Sequence, residues 1–141
     1  MAVHFTLCFA DRIPYFTTEE RVAPHREVLI QEVEQALCIA YAYCFMPDHL
    51  HTILLGVDDK ASPKKAVDRF KQRSGFLLRN EPAKWQPSYF DHILRTNEDT
   101  PAQVLYVFNN PLRAGLTDDP FSYPFSGCIG TDYREVLETI L

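Results

Sequence analysis

The sequence predicts an α+β domain in which helices pack against an antiparallel sheet. Apolar runs rich in β-branched and aromatic residues, typical of strands, alternate with segments whose apolar residues recur at helical spacing. The order is strand, helix, strand, strand, helix and a further helix, which favours a sandwich of helices on an antiparallel sheet. The chain has 141 residues, 46% of them hydrophobic, with no repeat or linker. We therefore expect residues 1–141 to form a single domain with a packed core.

The first strand and helix are delimited by ordinary strand and cap signals. Residues 3–10 combine β-branched and aromatic side chains, which indicates a strand that ends at the polar residues after it. Thr17 or Thr18 can cap a helix whose apolar spacing continues through residue 36. Pro24 fits only the first turn of such a helix, so the sequence leaves its start open to a shift.

Two neighbouring strands and a second helix follow. Residues 38–46 and 49–57 are so apolar that neither face suits water, and such strands lie at the centre of a sheet. Ser62 and Pro63 are a good N-cap and first helical residue for a helix that ends at about residue 78. We expect its inward face to consist of Ala66, Val67, Phe70 and Leu77.

The last third of the chain is less regular. Residues 84–95 hold Trp, Tyr and Phe around a proline, which indicates an aromatic loop leading into a short extended or helical piece. Thr100 and Pro101 begin a helix that we expect to stop at the Asn-Asn-Pro run of residues 109–111. The proline- and glycine-containing tail should stay irregular up to a final helix at residues 132–141.

The charge of the chain is unevenly distributed. Its 14 Lys+Arg and 19 Asp+Glu give a net charge of −5, which by itself argues against a partner as anionic as nucleic acid. Residues 60–84, however, hold eight basic and two acidic residues, a net charge of +6 against −11 elsewhere. Salt screens charges beyond about 8 Å, so this segment can still form a local anion-binding surface.

The cysteines and the hydropathy pattern indicate a cytoplasmic protein. None of the four cysteines forms a C-x-x-C pair, which favours reduced core residues over a metal or disulfide role. No apolar stretch approaches the roughly 20 residues that a membrane span needs, and the first residues lack a signal-peptide pattern. We expect no membrane partner.

The sharpest local motif is His49-Leu50-His51. Residues i and i+2 of a strand project from the same face, so both imidazoles can reach one metal ion while Leu50 packs on the other face. Two histidines do not complete a site, and a divalent metal would need at least one further oxygen ligand. Chance spacing among five histidines is the alternative.

A second constellation is the pair Tyr106 and Asn110, which lie four residues apart and therefore on one face of a helix. A tyrosine is a poor nucleophile at its ordinary pKa of about 10, so it needs a cation to assist it. An asparagine oxygen one turn away is a suitable ligand for that cation. The structural alternative is a packed aromatic residue followed by a helix C-cap.

The basic segment offers candidate contacts to DNA. Aromatic side chains beside it, namely Trp85, Tyr89 and Phe90, could stack on unpaired bases. The alternatives are a solvated helix face and, for Trp85, a place in the core. The candidate phosphate-binding residues are Lys64, Lys65, Arg69, Lys71, Arg73 and Arg79.

In this order, these motifs resemble the single-tyrosine HUH transposases of the insertion-sequence type, and most closely their REP-associated branch. The combination is far more specific than any single motif, and it covers most of the chain. Its closing segment departs from the family's commoner Trp-Pro-Trp-Ser. The matching stretches are Met-Pro-Asp-His-Leu-His at 46–51, Trp-Gln-Pro-Ser-Tyr-Phe-Asp-His-Ile-Leu-Arg at 85–95 with Asn-Glu-Asp at 97–99, Tyr-Val-Phe-Asn-Asn-Pro at 106–111 with Arg-Ala-Gly-Leu at 113–116, and Tyr-Pro-Phe-Ser at 123–126.

The resemblance implies a ferredoxin-like sandwich with helices packed on one face of the sheet and the HUH motif on a central strand. It makes His49 and His51 the metal ligands, Asn110 the third ligand and Tyr106 the nucleophile, with Tyr89 as the rival nucleophile. Residues of the Trp-Gln segment, including His92 and Arg95, become further candidates for DNA contact.

The activity implied is metal-dependent nicking and strand transfer of single-stranded DNA that carries hairpins, through a 5′-phosphotyrosine intermediate. The cofactor would be Mg²⁺ or Mn²⁺, and a homodimer is possible in this family. Two alternatives remain open from the residues: a domesticated hairpin-binding protein that does not cleave, and a small metalloenzyme that uses the H-x-H motif without nucleic acid.

Overall fold

A computed structural model describes residues 1–95 and 99–140 of the chain. It contains a five-stranded antiparallel sheet with the strands β1 Ala2–Cys8, β2 Cys38–Met46, β3 His49–Gly56, β4 Phe90–Leu94 and β5 Ser126–Ile129, in the spatial order β4-β1-β3-β2-β5. The helices are α1 Glu19–Gln35, α2 Pro63–Leu77, α3 Asp99–Arg113 and α4 Tyr133–Ile140. The first four strands with α1 and α2 have the order of a ferredoxin-like unit, so the predicted class is confirmed.

The helices lie on both faces of the sheet. Phe45 of β2, which is opposite Leu50 of β3, contacts Phe16 before α1 and Phe70 of α2, with ring centroids 5.0 and 6.5 Å away. On the other face, His51 contacts Tyr106 of α3. The expectation that the helices pack on one face therefore holds for α1 and α2 only. Helix α3 packs on the opposite face, where its apolar residues lie mainly against β2.

The helix ends mostly follow the predicted caps. Thr18 accepts a hydrogen bond from the backbone N–H of Arg21 at 3.2 Å and begins α1. Pro24 nevertheless lies in the second turn, so its restriction to the first turn was wrong. In α2, Leu77 is 38% exposed instead of inward, because Ser74 and Leu78 occupy the buried positions after Phe70.

The end of the chain differs more from the sequence expectations. The helix predicted to stop at residues 109–111 continues through Pro111 to Arg113. The tail predicted to be irregular contains β5, which pairs with β2 and adds a fifth strand. Tyr123 fixes this tail to the sheet, since its hydroxyl donates to the Phe45 carbonyl at 2.7 Å. The four residues of β5, which include a glycine, are too short a run for the sequence to predict a strand.

Two further sequence expectations can be compared with the structure. All four cysteines are free thiols, and Cys38 and Cys44 are buried in the core. Within residues 1–95 and 99–140, none of the helices is long and apolar enough to cross a membrane. Of the motif residues quoted above, Asn97 and Glu98 lie outside the described residues, as does Leu141 at the predicted end of the last helix.

A buried histidine joins α1 to α2. His25 contacts the Phe16 ring, and its Nδ1 lies 2.6 Å from the Ser74 hydroxyl, which also accepts a hydrogen bond from the Trp85 indole at 2.9 Å. Burial lowers the pKa of His25 to about 4. The ring is therefore neutral in the folded protein at pH 7.

This burial predicts a specific loss of stability in acid. Between pH 6.5 and 4 the unfolded chain protonates His25 and the native chain does not, so stability falls as the pH falls. We expect this residue to contribute roughly 3 kcal/mol to the loss. Urea unfolding at pH 7.0, 5.5 and 4.5 measures it in the native protein and in His25→Gln.

In His25→Gln, the slope of the free energy of unfolding against pH should be smaller by the equivalent of about one proton taken up on unfolding. The other buried histidines contribute equally to both proteins. Parallel stability curves for the two proteins would contradict the assignment.

Candidate active site

The two histidines of the H-x-H motif lie side by side on the α3 face of the sheet. His49 and His51 alternate with Leu50 along β3, and Leu50 is fully buried on the face of α1 and α2. The two imidazole rings are perpendicular, with centroids 4.9 Å apart. The geometry predicted from strand alternation is confirmed.

His49 is oriented by a carboxylate next to it in the chain. Its Nδ1 lies 2.7 Å from Oδ1 of Asp48, and Oδ2 of Asp48 lies 3.5 Å from the Arg12 guanidinium. A carboxylate on one ring nitrogen of a histidine is the usual outer support of a metal ligand, because it fixes the ring and increases its basicity. The sequence reasoning assigned no role to Asp48, although it stands within the motif.

His51 is buried, with 7% of its surface exposed. Its Nδ1 lies 3.0 Å from Nε2 of His4 and 3.1 Å from the Thr6 hydroxyl, both on the neighbouring strand β1. Burial above all, and then nearby cationic groups led by His49, lower the pKa of His51 to about 3. Burial likewise lowers the pKa of His4. Both rings are therefore neutral at pH 7, as a metal ligand must be.

Tyr106 projects from α3 beside these rings, and it remains 47% exposed. Its ring centroid is 6.0 Å from that of His51 and 6.4 Å from that of His4, all within one chain. The Arg113 guanidinium lies 4.1 Å from the centroid of the Tyr106 ring and donates to the Tyr106 carbonyl at 2.6 Å. The arginine thus fixes the ring of an otherwise accessible phenol.

Asn110 lies within α3, one turn after Tyr106 and on the same face. Because the helix continues to Arg113, the C-cap alternative for Asn110 is wrong. Its Nδ2 is buried and has no hydrogen-bond partner among the described residues. An unsatisfied buried N–H donor costs about 1–3 kcal/mol, so Nδ2 calls for an acceptor from outside the chain, whereas Oδ1 of the same amide is the candidate metal ligand.

These residues fit a divalent cation with mixed nitrogen and oxygen ligands. Across residues 1–95 and 99–140, no cluster of three or more His, Cys, Asp or Glu side chains is arranged to hold a metal. The candidate set is therefore two imidazoles and the amide of Asn110, which leaves further positions for water or a substrate oxygen.

Tyr89, the rival nucleophile, belongs to the other side of the sheet. Its hydroxyl donates to Asp68 of α2 at 2.6 Å, and its ring packs on Phe5 at 5.8 Å between centroids. Both partners lie on the face of α1 and α2. The fold brings Tyr106 to the two histidines and does not bring Tyr89.

Trp85 is partly buried and packs against the core. Its ring packs on Phe9 at 4.3 Å between centroids, and its indole N–H donates to Ser74. The structural alternative for this residue is therefore favoured over base stacking.

The basic residues of α2 and its flanks differ in how far they are engaged. Lys64 pairs with Asp68 at 2.7 Å, and Lys71 donates to the Pro87 carbonyl. Arg73 donates to Gln31 at 2.9 Å and Arg79 to the Phe76 carbonyl at 3.1 Å. Lys65 and Arg69 are exposed, and their side chains have no partner among the described residues.

The edge strand β4 brings further candidates to the histidine face. His92 is directly opposite His4, and Phe90 is opposite Thr6, so both share the face of His51. His92 is exposed, and Phe90 is 69% exposed. Arg95 is exposed just beyond the strand. The pairing that creates this row of residues depends on strand order, which the sequence did not define.

A family comparison matches this architecture. The family model described as "Transposase IS200 like" matches residues 1–107, which include all of β1 to β4 and α3 through Tyr106. The chain therefore belongs to the IS200-like transposase family. Two of its relatives carry the name of the REP-associated tyrosine transposases.

Two curated relatives and one solved structure document the likeness. The REP-associated tyrosine transposase of Escherichia coli K12 is 30% identical over 99 residues, 67% of this chain and 54% of that protein. A Haemophilus influenzae protein, whose name also refers to REP-associated tyrosine transposases, is 23% identical over 138 residues, 86% of this chain and 76% of its own. A solved REP-associated tyrosine transposase bound to a REP hairpin superposes with a TM-score of 0.77 at 21% identity, over 99% of this chain and 81% of that one, which shows a shared fold.

Because the buried amide of Asn110 has an unpaired donor, we expect its removal to stabilise the fold. Asn110→Leu eliminates the unpaired buried group, so we expect the free energy of unfolding in EDTA to rise by about 1 kcal/mol. Urea denaturation measures the change, and Asn109→Leu on the adjacent position is the matched control. A loss of stability specific to Asn110→Leu would show that the amide is satisfied within the fold.

Proposed function

We propose that this protein nicks single-stranded DNA that carries hairpins and transfers the cut strand, in a metal-dependent reaction with a 5′-phosphotyrosine intermediate. The observation that carries the proposal is the placement of Tyr106 beside His49 and His51 of the same chain, with Asn110 one turn along the helix.

His49, His51 and Asn110 would hold Mg²⁺ or Mn²⁺. When bound, such a cation supplies Lewis-acid polarisation of the scissile phosphate and offsets the charge of its oxygens. Asp48 would keep the His49 ring oriented, and the neutral, buried His51 would present a lone pair without first losing a proton.

Tyr106 would attack the phosphorus atom through its hydroxyl oxygen, which loses its proton. The bond between phosphorus and the 3′ oxygen breaks, which leaves a free 3′-hydroxyl and a DNA 5′ end joined to Tyr106. Attack of another 3′-hydroxyl on this linkage restores a phosphodiester and frees the tyrosine, so no external energy source is needed. Arg113 would hold the ring in place across both steps.

The DNA surface would combine phosphate contacts with base contacts. The solved relative described above is bound to a REP hairpin, which favours the same class of ligand here. Lys65 and Arg69 are exposed and unengaged, so they are the strongest phosphate contacts on α2, on the face of the sheet opposite the histidines. Phe90, His92 and Arg95 lie beside the histidine face, where unpaired bases could stack.

The alternatives are less well supported. A hairpin-binding protein that does not cleave has no need for an accessible tyrosine beside two supported imidazoles. A metalloenzyme that does not act on nucleic acid would not explain the exposed basic residues beside α2. A homodimer and a cytoplasmic location remain predictions. Tyr106, His49 and His51 lie together within one chain, so the proposed site does not need a second copy to supply its tyrosine.

Tyr106→Phe should abolish the covalent adduct. In this experiment a 3′-labelled hairpin oligonucleotide is incubated with Mn²⁺, so that the label stays on the fragment joined to the protein, and the protein is separated under denaturing conditions. The phenylalanine lacks the attacking oxygen, so we expect at least a 1,000-fold loss of adduct with hairpin affinity unchanged. The native protein should form the adduct with Mn²⁺ and not in EDTA.

Tyr89→Phe is the matched control and should keep adduct formation within a few-fold of the native level. Adduct formation by Tyr106→Phe, or its loss in Tyr89→Phe alone, would assign the nucleophile elsewhere. Failure of the native protein to cleave while it binds the hairpin would favour the non-cleaving alternative.

DNA binding should depend steeply on salt through the basic surface of α2. The double substitution of Lys65→Gln with Arg69→Gln removes two unengaged cations, so the slope of log affinity against log salt should decrease in magnitude by about 1.5. Fluorescence anisotropy with a labelled hairpin at roughly 50–300 mM KCl measures the slope.

Arg26→Gln is the control, because it removes a cation already paired with Glu19 on α1. An equal change of slope in this control, or no change in the double variant, would remove the α2 surface from the binding site.

A further inference from the structure

A chain of hydrogen bonds runs from α3 through the sheet to His51. Oε1 of Gln103 lies 2.8 Å from Nδ1 of His4, and Nε2 of His4 lies 3.0 Å from Nδ1 of His51. The three side chains belong to α3, β1 and β3, and both histidines are buried. Neither Gln103 nor His4 has a role in the chemistry derived above.

The direction of each hydrogen bond follows from the acceptor at its end. An amide oxygen cannot donate, so Nδ1 of His4 carries the proton that it shares with Gln103. A neutral imidazole has one N–H, which leaves Nε2 of His4 as an acceptor. Nδ1 of His51 must then donate to it, and the remaining nitrogen of His51 keeps its lone pair.

The Thr6 hydroxyl does not decide this direction. It lies 3.1 Å from the same nitrogen of His51, and a hydroxyl can either donate or accept. It therefore adapts to the proton that the Gln103 oxygen fixes at the other end of the chain.

We propose that Gln103 and His4 are positioning residues that hold His51 in the tautomer with its proton on Nδ1, so that Nε2 is free to bind the metal. The part of this inference that concerns the metal rests on the proposed function. His4 would orient the His51 ring through its second nitrogen, as the Asp48 carboxylate does for His49.

The same chain couples the nucleophile to the metal ligands. Gln103 precedes Tyr106 by three residues and shares its face of α3. The hydrogen bond from His4 to Gln103 therefore anchors the first half of this helix to β1, next to the strand that carries His51. A shift of α3 would break the hydrogen bond between Gln103 and His4, so that the His51 proton would no longer be held on Nδ1. Conversely, the other tautomer of His51 would weaken this hydrogen bond, which helps to hold the helix of Tyr106 in place.

Two substitutions of Gln103 separate the acceptor from the bulk of the side chain. Gln103→Glu retains an acceptor oxygen at the same position, whereas Gln103→Met has a similar volume and no comparable acceptor. The first readout is the nitrogen-15 NMR spectrum of the histidine rings in the metal-free protein at pH 7.5, with the His51 signals assigned from a His51→Asn variant. The second is the dissociation constant for Mn²⁺ from calorimetry.

We expect the native protein and Gln103→Glu to show His51 with its proton on Nδ1. Gln103→Met should show a mixture of His51 tautomers and bind Mn²⁺ about 10-fold or more weakly. Its melting temperature is measured in parallel, to detect a general loss of stability. Restoration of both properties by glutamate distinguishes the acceptor from a merely structural role.

A proton on Nε2 of His51 in the native protein would overturn the proposal. It would mean that the Gln103 amide donates to His4, and that both hydrogen bonds between Gln103, His4 and His51 run in the opposite direction. An unchanged tautomer and Mn²⁺ affinity in Gln103→Met would overturn it as well. If the tautomer follows Gln103 while the native protein binds no Mn²⁺, the positioning of His51 stands and the proposed metal-dependent function fails.

Discussion

The two-residue period of β3 is the constraint on which the site depends. It sends Leu50 into the core beneath α1 and α2 and sends His49 and His51 to the opposite face, where α3 lies. A slip of one residue in the pairing of β3 would reverse both faces at once. The buried cluster around Phe45 resists such a slip, so the packing of the hydrophobic core also fixes the place of the imidazoles.

Around this strand, polar partners are distributed over several elements. Asp48 supports one histidine from the preceding turn, and His4 supports the other from the neighbouring strand. The helix of Tyr106, the proposed nucleophile, contributes Gln103, Tyr106 and Asn110 from a single face. The position of this one helix therefore sets the hydrogen bond between Gln103 and His4 and the places of the proposed nucleophile and the candidate third ligand.

Much of the fold follows from local patterns. The bounds of β2 were predicted without error, and those of β3 within one residue, because strongly apolar runs with a short turn between them admit few alternatives. β5 was missed since its four residues are ordered by pairing with β2. Leu77 was expected to face inward and is partly exposed, whereas Ser74 is buried, because the burial of α2 is decided by the shape of the surface beneath it.

The sequence by itself determined the α+β class, the strand of the H-x-H motif and, through the combination of motifs, the family. Only the tertiary structure decided that Tyr106 and not Tyr89 lies beside the histidines, that Trp85 packs against the core, and that His4 supports His51. Motif spacing is local, whereas these distinctions depend on which face of the sheet each element covers. That choice is made by the packing of α1, α2 and α3 against strands that are distant in the chain.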